Sequence, residues 1–401
     1  MAIIVQKFGG SSVADAAKVE NVANRVVETY REGNSVVVVV SAQGDTTDDL
    51  IEKAHEINKN PSKREMDMLL SSGEQISIAL LAMAIEKIGV PVISLTGWQA
   101  GFATNSNAGN ARINKINTER IMAELDQKKI VIVAGFQGLD KYDNITTLGR
   151  GGSDTSAVAI AAAIRADKCE IYTDVDGVYT ADPRIAPNAV KLDEITYDEM
   201  LDLASLGANV LHNRSVEMAK KYGVRLEVKS SFKKVDGTIV KEAVSVEKML
   251  IRGVARDNDV ARIAVIGLED KPGIAFKVFS LLSKKGINVD IILQSIGREN
   301  KKDISFTVTK NHMQEALELL EAEKDSLGYE EITHREDISK VSIVGVGMVN
   351  NPGVAATMFE ALYDAGINIH MISTSETKIS VLINVQNAEK AVQAIHDKFL
   401  I

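Results

Sequence analysis

Three segments rich in glycine and polar side chains carry the residue types that phosphate chemistry needs. The first is KFGGSS at residues 7–12, directly after an apolar run. Glycines let a backbone approach a phosphate closely, and the N–H groups at the start of a following helix attract anions. Lys7 adds a positive charge. The segment favours an anion-binding turn, while a tight strand-to-helix turn with an exposed lysine is the simpler alternative.

The second segment is GRGGSDT at residues 149–155, which precedes an alanine-rich helical pattern. Ser153 or Asp154 suits the N-cap of that helix. Arg150 is the residue type that grips a carboxylate or a phosphate through two hydrogen bonds. Three glycines and an arginine exceed what a cap requires, so we predict an anion site, with a capped loop as the alternative.

The third segment is TDVDGVYTADPR at residues 173–184, whose acidic side chains could face a metal or an adenosine hydroxyl. Its spacing is not that of an EF-hand loop. The chain has no Walker A sequence, Rossmann fingerprint or protein-kinase catalytic loop. Two weaker signals, at 41–48 and 71–74, are each more typical of a turn or cap. We expect residues 71–74 to open a helix that runs to Ile88.

The surrounding pattern predicts the elements that position these segments. Residues 1–230 alternate apolar runs with helical patterns, which predicts a mostly parallel sheet sandwiched by helices, an α/β fold. In such sheets ligands bind at the carboxyl ends of the strands. The clearest strands are 3–7, 35–40, 90–94, 130–134 and 170–173, and the helices are 14–31, 65–88, 117–127, 155–165 and 197–203.

The C-terminal part contains an internal repeat after a polar stretch, 231–249, that we interpret as a linker. KPGIA at 271–275 matches NPGVA at 351–355, and Gly-Ile-Asn follows each at the same distance. Each copy predicts a ferredoxin-like βαββαβ unit. The second copy lacks its last strand. We hypothesise that residues 250–257 supply it, which makes 258–336 a unit inserted into a second unit formed by 250–257 and 337–401.

Composition excludes several classes of protein. The chain has 401 residues, 45% hydrophobic and 25% charged, which excludes a mainly disordered chain. A net charge of −9 argues against a nucleic-acid partner. The apolar runs fall short of the roughly 18 residues that span a bilayer. The single cysteine, Cys169, indicates a reducing compartment and a buried position. We therefore expect a cytoplasmic protein with no membrane partner, and the histidine spacing predicts no metal site.

Taken together, the three segments and the sequence STSE at 373–376 resemble aspartokinase, an enzyme of the amino acid kinase fold. The resemblance covers essentially the whole chain and indicates the monofunctional form with tandem C-terminal ACT domains. It implies that residues 1–230 use ATP to phosphorylate the side-chain carboxylate of L-aspartate, giving 4-phospho-L-aspartate for lysine, threonine and methionine biosynthesis. A carboxylate is ionised at neutral pH and needs no general base. Phosphoryl transfer to it requires mainly alignment and charge neutralisation.

The resemblance also implies residue roles. Lys7 and Asp154 are the expected catalytic residues, and Mg²⁺ is expected to accompany ATP without a dedicated protein cage. The expected substrate contacts are Ser41, Thr47, Glu74, Arg150, Gly151, Gly152 and Ser153. The expected ATP contacts are Lys7, Gly9, Gly10, Ser11, Thr173, Asp174, Tyr179, Arg184 and Lys229.

ACT domains imply feedback control by lysine, with threonine as a second candidate effector. In the first unit the expected effector contacts are Asp270, Gly273, Ile274, Ala275, Asn288 and Gln294. In the second they are Asn351, Gly353, Val354, Asn368 and Ile369. The two units differ in sequence, so one of them could serve mainly as an interface in a homodimer or a larger oligomer.

Two other functions remain open at this point. One is an amino acid kinase-fold enzyme acting on glutamate derivatives, carbamate or UMP, against which the tandem repeat and residues 373–376 weigh. The other is an amino-acid-sensing regulatory protein with an inactive kinase-like domain. Intact Lys7, Arg150 and Asp154 weigh against that function.

Overall fold

The computed structural model describes residues 2–207, 210–242, 251–295, 300–345, 351 and 353–399. The chain forms two compact units. The first comprises residues 1–179, 190–205 and 209–248, and the second comprises 180–189, 206–208 and 249–401. Residues 180–189, which lie inside the predicted domain 1–230, fall in the second compact unit. Ala181 and Ala186 are buried in the apolar core of the second unit, which explains where that segment belongs.

The first unit contains the predicted strands and helices, with ends that differ from prediction by at most three residues, together with elements that the sequence did not reveal. Its strands are β1 (Ile3–Phe8), β2 (Ser35–Val40), β3 (Val92–Leu95), β4 (Phe102–Thr104), β5 (Ile113–Ile116), β6 (Ile130–Ala134), β7 (Gln137–Leu139), β8 (Ile145–Thr147), β9 (Lys168–Thr173), β10 (Glu194–Thr196), β11 (Leu226–Ser230) and β12 (Thr238–Lys241). Its helices are α1 (Ala16–Arg31), α2 (Thr46–Ile57), α3 (Lys63–Lys87), α4 (Glu119–Asp126), α5 (Gly152–Ala163), α6 (Tyr197–Ser205) and α7 (Asn213–Tyr222).

An eight-stranded sheet with the order β10-β12-β11-β9-β1-β2-β6-β3 forms the centre of this unit. All its neighbouring strands run parallel except β11 and β12. Residues 36–40 and 130–134 are fully buried, and α1, α3 and α5 pack on the sheet. The mostly parallel, helix-covered sheet predicted from the sequence is confirmed. A smaller sheet, β5-β4-β7-β8, escaped prediction because its strands have only three or four residues.

The predicted linker 231–249 is wrong for residues 238–241. These form β12, which pairs with β10 and β11 inside the large sheet. The side chains of Thr238 and Val240, every second residue of the strand, are fully buried. The surrounding stretch is polar on average, which hid this four-residue strand in the sequence. Residues 243–249 of the predicted linker lie outside the described residues.

One described helix, α3, is long and apolar enough to cross a membrane by length and composition alone. It packs against α1, β3 and β6 of the first unit. Its buried face also carries Asp67, Ser71, Glu74 and Ser77. A helix with this buried polar face is part of the folded core of the unit.

The second unit contains two four-stranded antiparallel sheets. Its strands are β13 (Gly253–Asp257), β14 (Ala261–Glu269), β15 (Ile292–Gln294), β16 (Lys301–Val308), β17 (Glu331–Arg335), β18 (Ile338–Val344), β19 (Met371–Thr374) and β20 (Lys378–Asn384). Its helices are α8 (Ile274–Lys284), α9 (Lys310–Ala322), α10 (Lys324–Leu327), α11 (Val354–Asp364) and α12 (Ala388–Phe399).

The two sheets have equivalent strand orders, β15-β16-β14-β17 and β19-β20-β18-β13. β13 therefore occupies in one sheet the position that β17 has in the other. It pairs antiparallel with β18, from Gly253 opposite Val344 to Asp257 opposite Lys340. The chain thus leaves this sheet after β13, builds the other sheet, and returns at β18. Leu250, the first residue of the predicted strand, lies outside the described residues.

Candidate active site

A cavity of about 790 Å³ opens at the carboxyl ends of β1 and β2, in the first unit. Residues from α2, α3 and the start of α5 complete its wall. The structure brings together in this wall eleven of the predicted catalytic, substrate and ATP residues: Lys7, Gly9, Gly10, Ser41, Thr47, Glu74, Arg150, Gly151, Gly152, Ser153 and Asp154. Ser11 is exposed and is not part of the wall.

The central charge pair of the cavity joins Lys7 to Asp154. Lys7 Nζ lies 2.7 Å from Asp154 Oδ1, and each side chain is only 12% exposed. Lys7 is held by β1, which is paired on both sides within the sheet, and Asp154 lies in the first turn of α5. Ion pairs that are shielded from water are stronger than exposed ones, so the two groups are held in one arrangement.

Gly151 determines how the chain enters α5. It is the N-cap residue and has a φ of 65°, in the left-handed region. A Cβ at this position would lie 2.2 Å from Cγ of His212, so only glycine fits. The predicted cap by Ser153 or Asp154 is wrong, because both residues lie inside the helix. Their side chains are thereby available to the cavity wall.

Gly10 allows two loops of the cavity to meet. A Cβ on Gly10 would lie 2.6 Å from the carbonyl oxygen of Ala42. The N–H of Gly44 donates to the carbonyl oxygen of Gly10 at 3.0 Å. The turn after β1 is therefore packed directly on the turn after β2, which carries Ser41.

Glu74 contributes a buried carboxylate with one unsatisfied oxygen. Its side chain is 3% exposed, and Oε1 accepts a hydrogen bond from the N–H of Ala42 at 3.2 Å. Oε2 has no hydrogen-bond partner among the described residues. Burial raises the pKa of Glu74 to about 7, although hydrogen bonds from backbone N–H groups oppose the shift. A carboxylate oxygen in this setting can accept a ligand's ammonium group.

The position of Glu74 corrects one prediction. Residues 71–74 do not open a helix but lie in the middle of α3, which begins at Lys63. Likewise, only residues 41–45 of the polar stretch 41–48 form a turn, because α2 begins at Thr46. Helices thus present Thr47 and Glu74 to the cavity, whereas the sequence suggested a turn for Thr47 and the start of a helix for Glu74.

The predicted ATP residues outside the glycine turn are not in the cavity wall. Within the first unit, Thr173 Oγ1 donates to Asp174 Oδ1 at 3.0 Å, just after β9. Tyr179 donates to Asp176 at 2.8 Å. Lys229 Nζ lies 3.4 Å from Glu170 Oε1 and 3.5 Å from Glu227 Oε1.

Arg184 belongs to the second unit, where it pairs with Asp182 at 2.7 Å. Its role in ATP binding stays a prediction.

Several residues in the cavity wall had not been singled out from the sequence. Asp67, Asn110, Phe136 and Thr147 all line the cavity. Asp67 lies two helical turns before Glu74 on α3, and this spacing of acidic residues within an apolar helix was an available signal. The other three lie in or beside the short strands of the smaller sheet, which the sequence did not reveal.

The described residues contain no group of three or more His, Cys, Asp or Glu side chains that could hold a metal. Cys169 is fully buried in β9, as predicted. Burial raises the pKa of its thiol, which makes it an unreactive core residue.

The second unit has its own cavity of about 320 Å³ at the start of α8. Asp270, Gly273, Ile274 and Ala275, four of the predicted effector contacts, line it. Lys302 also lines it, and its Nζ lies 2.7 Å from Asp270 Oδ1.

The remaining predicted effector contacts lie outside this cavity. Asn288 and Gln294 are exposed, as are Asn351, Gly353 and Asn368 in the other ferredoxin-like unit, where Val354 is buried and Ile369 half-buried. Pro352, whose Pro-Gly turn motivated the second set, lies outside the described residues.

The first unit thus has a mostly parallel sheet that presents glycine turns, a lysine and buried carboxylates in one cavity. The family model for the amino acid kinase family matches residues 2–230, and the model for the ACT domain matches 263–323 and 341–399.

Similar proteins agree with these matches. An aspartokinase of Bacillus sp. (strain MGA3) is 52% identical over 400 residues, which covers all of this chain and 97% of the relative. An aspartate kinase of Pseudomonas putida is 48% identical over 401 residues, covering all of this chain and 98% of the relative. The crystal structure of E. coli aspartokinase III in complex with aspartate and ADP in its R-state superposes with a TM-score of 0.85 at 25% identity, over the full length of both chains.

The chain belongs to the aspartokinases of the amino acid kinase family, with ACT domains in its second unit. Its reaction is the ATP-dependent phosphorylation of the L-aspartate side-chain carboxylate to 4-phospho-L-aspartate, under feedback control by amino acids.

Proposed function

We propose that the cavity of the first unit is where this phosphoryl transfer occurs. The observation that carries the proposal is the shielded Lys7–Asp154 pair beside the Gly9–Gly10 turn. Lys7 lies over the transferred phosphoryl group and neutralises the negative charge that builds up on its oxygens. Asp154 holds the Lys7 ammonium group in position. The acceptor carboxylate is already ionised, so no side chain needs to remove a proton from it.

The aspartate substrate is held at both of its charged backbone groups. Glu74 receives the ammonium group, since its Oε2 is buried and has no hydrogen-bond partner among the described residues. Arg150 binds the α-carboxylate through two parallel hydrogen bonds. Ser41, Thr47 and Ser153 add polar contacts around the ligand. The side-chain carboxylate is then directed towards the phosphoryl donor.

ATP binds with its phosphates on the turn Gly9–Ser11, and Thr173, Asp174, Tyr179 and Lys229 of the first unit supply further contacts to the nucleotide. E. coli aspartokinase III has been crystallised with ADP, which supports nucleotide binding by this fold. Mg²⁺ would accompany the ATP phosphates and would supply further positive charge there. The donor set fits this mode, because Mg²⁺ needs only one or two carboxylates besides phosphate and water. Asp154 is the carboxylate of the cavity placed beside Lys7.

An acceptor-specificity assay tests the proposal. ADP release is measured with L-aspartate, with L-glutamate and without an acceptor, for the unmodified chain and for Arg150→Met. We expect turnover with L-aspartate only, and a KM for aspartate raised by about tenfold or more in the variant, because an ionic hydrogen-bonded contact is lost. Arg112→Met, an exposed arginine outside the cavity wall, is the control. ADP release without aspartate, or none with it, would contradict the proposal.

Effector binding is assigned to the second unit, with residues 258–336 as an ACT domain inserted into the one formed by 250–257 and 337–401. The pairing of β13 with β18 supports this assignment. Lysine is the first candidate effector, and threonine the second. A solved aspartokinase III complex contains lysine together with aspartate. In this cavity the Asp270 carboxylate is suited to the ammonium group of an amino acid. The N–H groups at the start of α8 are suited to its carboxylate.

Replacing Asp270 by asparagine should therefore raise the lysine concentration for half-inhibition by about tenfold, because one ionic hydrogen bond is lost. The kcat without lysine should not change. Asp325→Asn, an exposed position on α10, serves as the control. Inhibition curves that superpose for all three proteins would place the effector elsewhere in the chain.

The ACT sheets also support a homodimer or a larger oligomer. β15 and β19 are edge strands, and they expose Ile292, Leu293 and Ile372. Unpaired apolar edges are suited to strand pairing with a second copy of the chain. We place the enzyme in the cytoplasm, where the buried single cysteine stays reduced.

A further inference from the structure

Two charged side chains outside the proposed substrate contacts hold the backbone of the Arg150 loop from two helices. Asp67 lies on α3 and Arg214 on α7. Both act on the same two segments of chain, residues 109–111 and residues 147–148. The second segment leads directly into the Arg150 loop, residues 149–151, and then into the start of α5, which carries Ser153 and Asp154.

Asp67 binds the N–H groups of these segments. Its two oxygens accept the N–H of Gly109 at 3.1 and 2.9 Å. Oδ2 also accepts the N–H of Thr147 at 2.9 Å, and Oδ1 accepts the Thr147 hydroxyl at 2.6 Å. The residue is 1% exposed, so this carboxylate is buried and satisfied by groups of the two segments alone.

Arg214 binds the carbonyl groups of the same segments. Nη1 donates to the carbonyl oxygen of Leu148 at 2.9 Å, and Nη2 donates to that of Ala111 at 2.8 Å. Partial burial lowers the pKa of this guanidinium. The two segments are also joined to each other, since the N–H of Ala111 donates to the carbonyl oxygen of Thr147 at 2.8 Å.

The arrangement matters for Arg150 because no described group forms a hydrogen bond or ion pair with its guanidinium. Its position at the cavity therefore depends on the backbone that carries it. The Asp67 carboxylate accepts hydrogen bonds from backbone N–H groups, and the Arg214 guanidinium donates hydrogen bonds to backbone carbonyl groups. Together they hold that backbone in one conformation. A fixed backbone lowers the entropy that an arginine loses when it binds a carboxylate ligand.

We infer that Asp67 and Arg214 are positioning residues that set the affinity for aspartate through the Arg150 loop. The inference rests on the proposed role of Arg150 as the ligand for the α-carboxylate. Neither side chain needs to touch the substrate. The nucleotide turn at Gly9–Gly10 is not bonded to either residue, so ATP binding should be affected much less.

The test measures kcat and the KM values for aspartate and for ATP in Asp67→Asn, Arg214→Met and Arg214→Lys. We expect the KM for aspartate to rise by about tenfold or more in the first two variants, because small displacements of a binding group are costly. The KM for ATP should stay within about twofold. Arg214→Lys keeps the charge but not the two-pronged geometry, so it should recover only part of the affinity.

Two controls lie on the same helices, Glu86→Gln on α3 and Lys221→Met on α7, both exposed. A double variant, Asp67→Asn with Arg214→Met, should raise the KM for aspartate by less than the product of the two single effects, because both act on one loop. If one variant fails to fold, the remaining variants still give the comparison of the two KM values.

The outcomes separate this inference from the proposed function. A normal KM for aspartate in the Asp67 and Arg214 variants, with a raised value in Arg150→Met, would overturn the positioning role alone. An equal rise of both KM values would also overturn it, because that result indicates general damage to the cavity. A normal KM in Arg150→Met would instead overturn the substrate assignment on which the inference rests.

Discussion

Replacing Lys7 by alanine should lower kcat by about a hundredfold to a thousandfold, the usual cost of removing one group that stabilises charge in the transition state. The Lys7 ammonium group is the cation that the structure holds beside Asp154 in the cavity. Water cannot replace it well, because both side chains are largely shielded. The KM for aspartate should change little, since the proposed ligands of that substrate are Glu74 and Arg150. Steady-state kinetics with both substrates saturating measures the effect.

The same substitution leaves the Asp154 carboxylate without its ion-pair partner, so some thermal stability should be lost. Adding Asp154→Asn should restore much of that stability without restoring activity. Lys53→Ala, an exposed lysine on α2, is the control for a simple loss of positive charge. A Lys7→Ala enzyme that retains more than about a tenth of the kcat would mean that Lys7 only completes the turn after β1.

Replacing Glu74 by glutamine should raise the KM for aspartate by about tenfold to a hundredfold at pH 8, because the proposed ionic hydrogen bond to the substrate ammonium group is lost. In the unmodified enzyme the pKa of Glu74 is about 7. The carboxylate must be ionised to receive the ammonium group, so the KM for aspartate should fall as the pH rises through 7. The glutamine variant should lack this pH dependence. Initial rates between pH 6 and pH 8.5 test both statements.

The stability of the substrate-free enzyme should fall with rising pH, whereas its affinity for aspartate should rise. The unfolded chain releases the Glu74 proton near pH 4.5, whereas the folded protein keeps it up to about pH 7. The free energy of unfolding therefore falls as the pH rises through this window, by about 3 kcal/mol at most. Glu74→Gln should remove that loss and be more stable than the unmodified enzyme at pH 8, without such a difference at pH 4.

Denaturant unfolding at the two pH values measures this difference, with Glu86→Gln, exposed on the same helix, as the control. A glutamine variant that is no more stable at pH 8 would show that Glu74 is not a buried, proton-retaining carboxyl. A flat pH profile of the KM for aspartate in the unmodified enzyme would separate Glu74 from the ammonium group.

The sequence by itself determined the main sheet, the glycine turns and the repeat. Uninterrupted apolar runs such as 36–40 and 130–134 are typical of strands buried on both faces, and the structure places them in β2 and β6. Glycines combined with Lys7 or Arg150 marked the turns at the strand ends, because backbone approach to an anion requires those residue types. A repeated Pro-Gly motif marked two equivalent units. All of these signals are local.

Only the tertiary structure decided which polar residues share the cavity. Glu74 and Asp67 lie inside a long helix, and their burial depends on the sheet and loops packed against it. Arg214 is bonded to carbonyls 66 and 103 residues away, so no spacing along the chain could reveal its partners. β12 and the strands of the smaller sheet, β4, β5, β7 and β8, have only three or four residues and become strands through their neighbours. Short elements and buried charges have too little local signal, because their free energy comes from distant contacts.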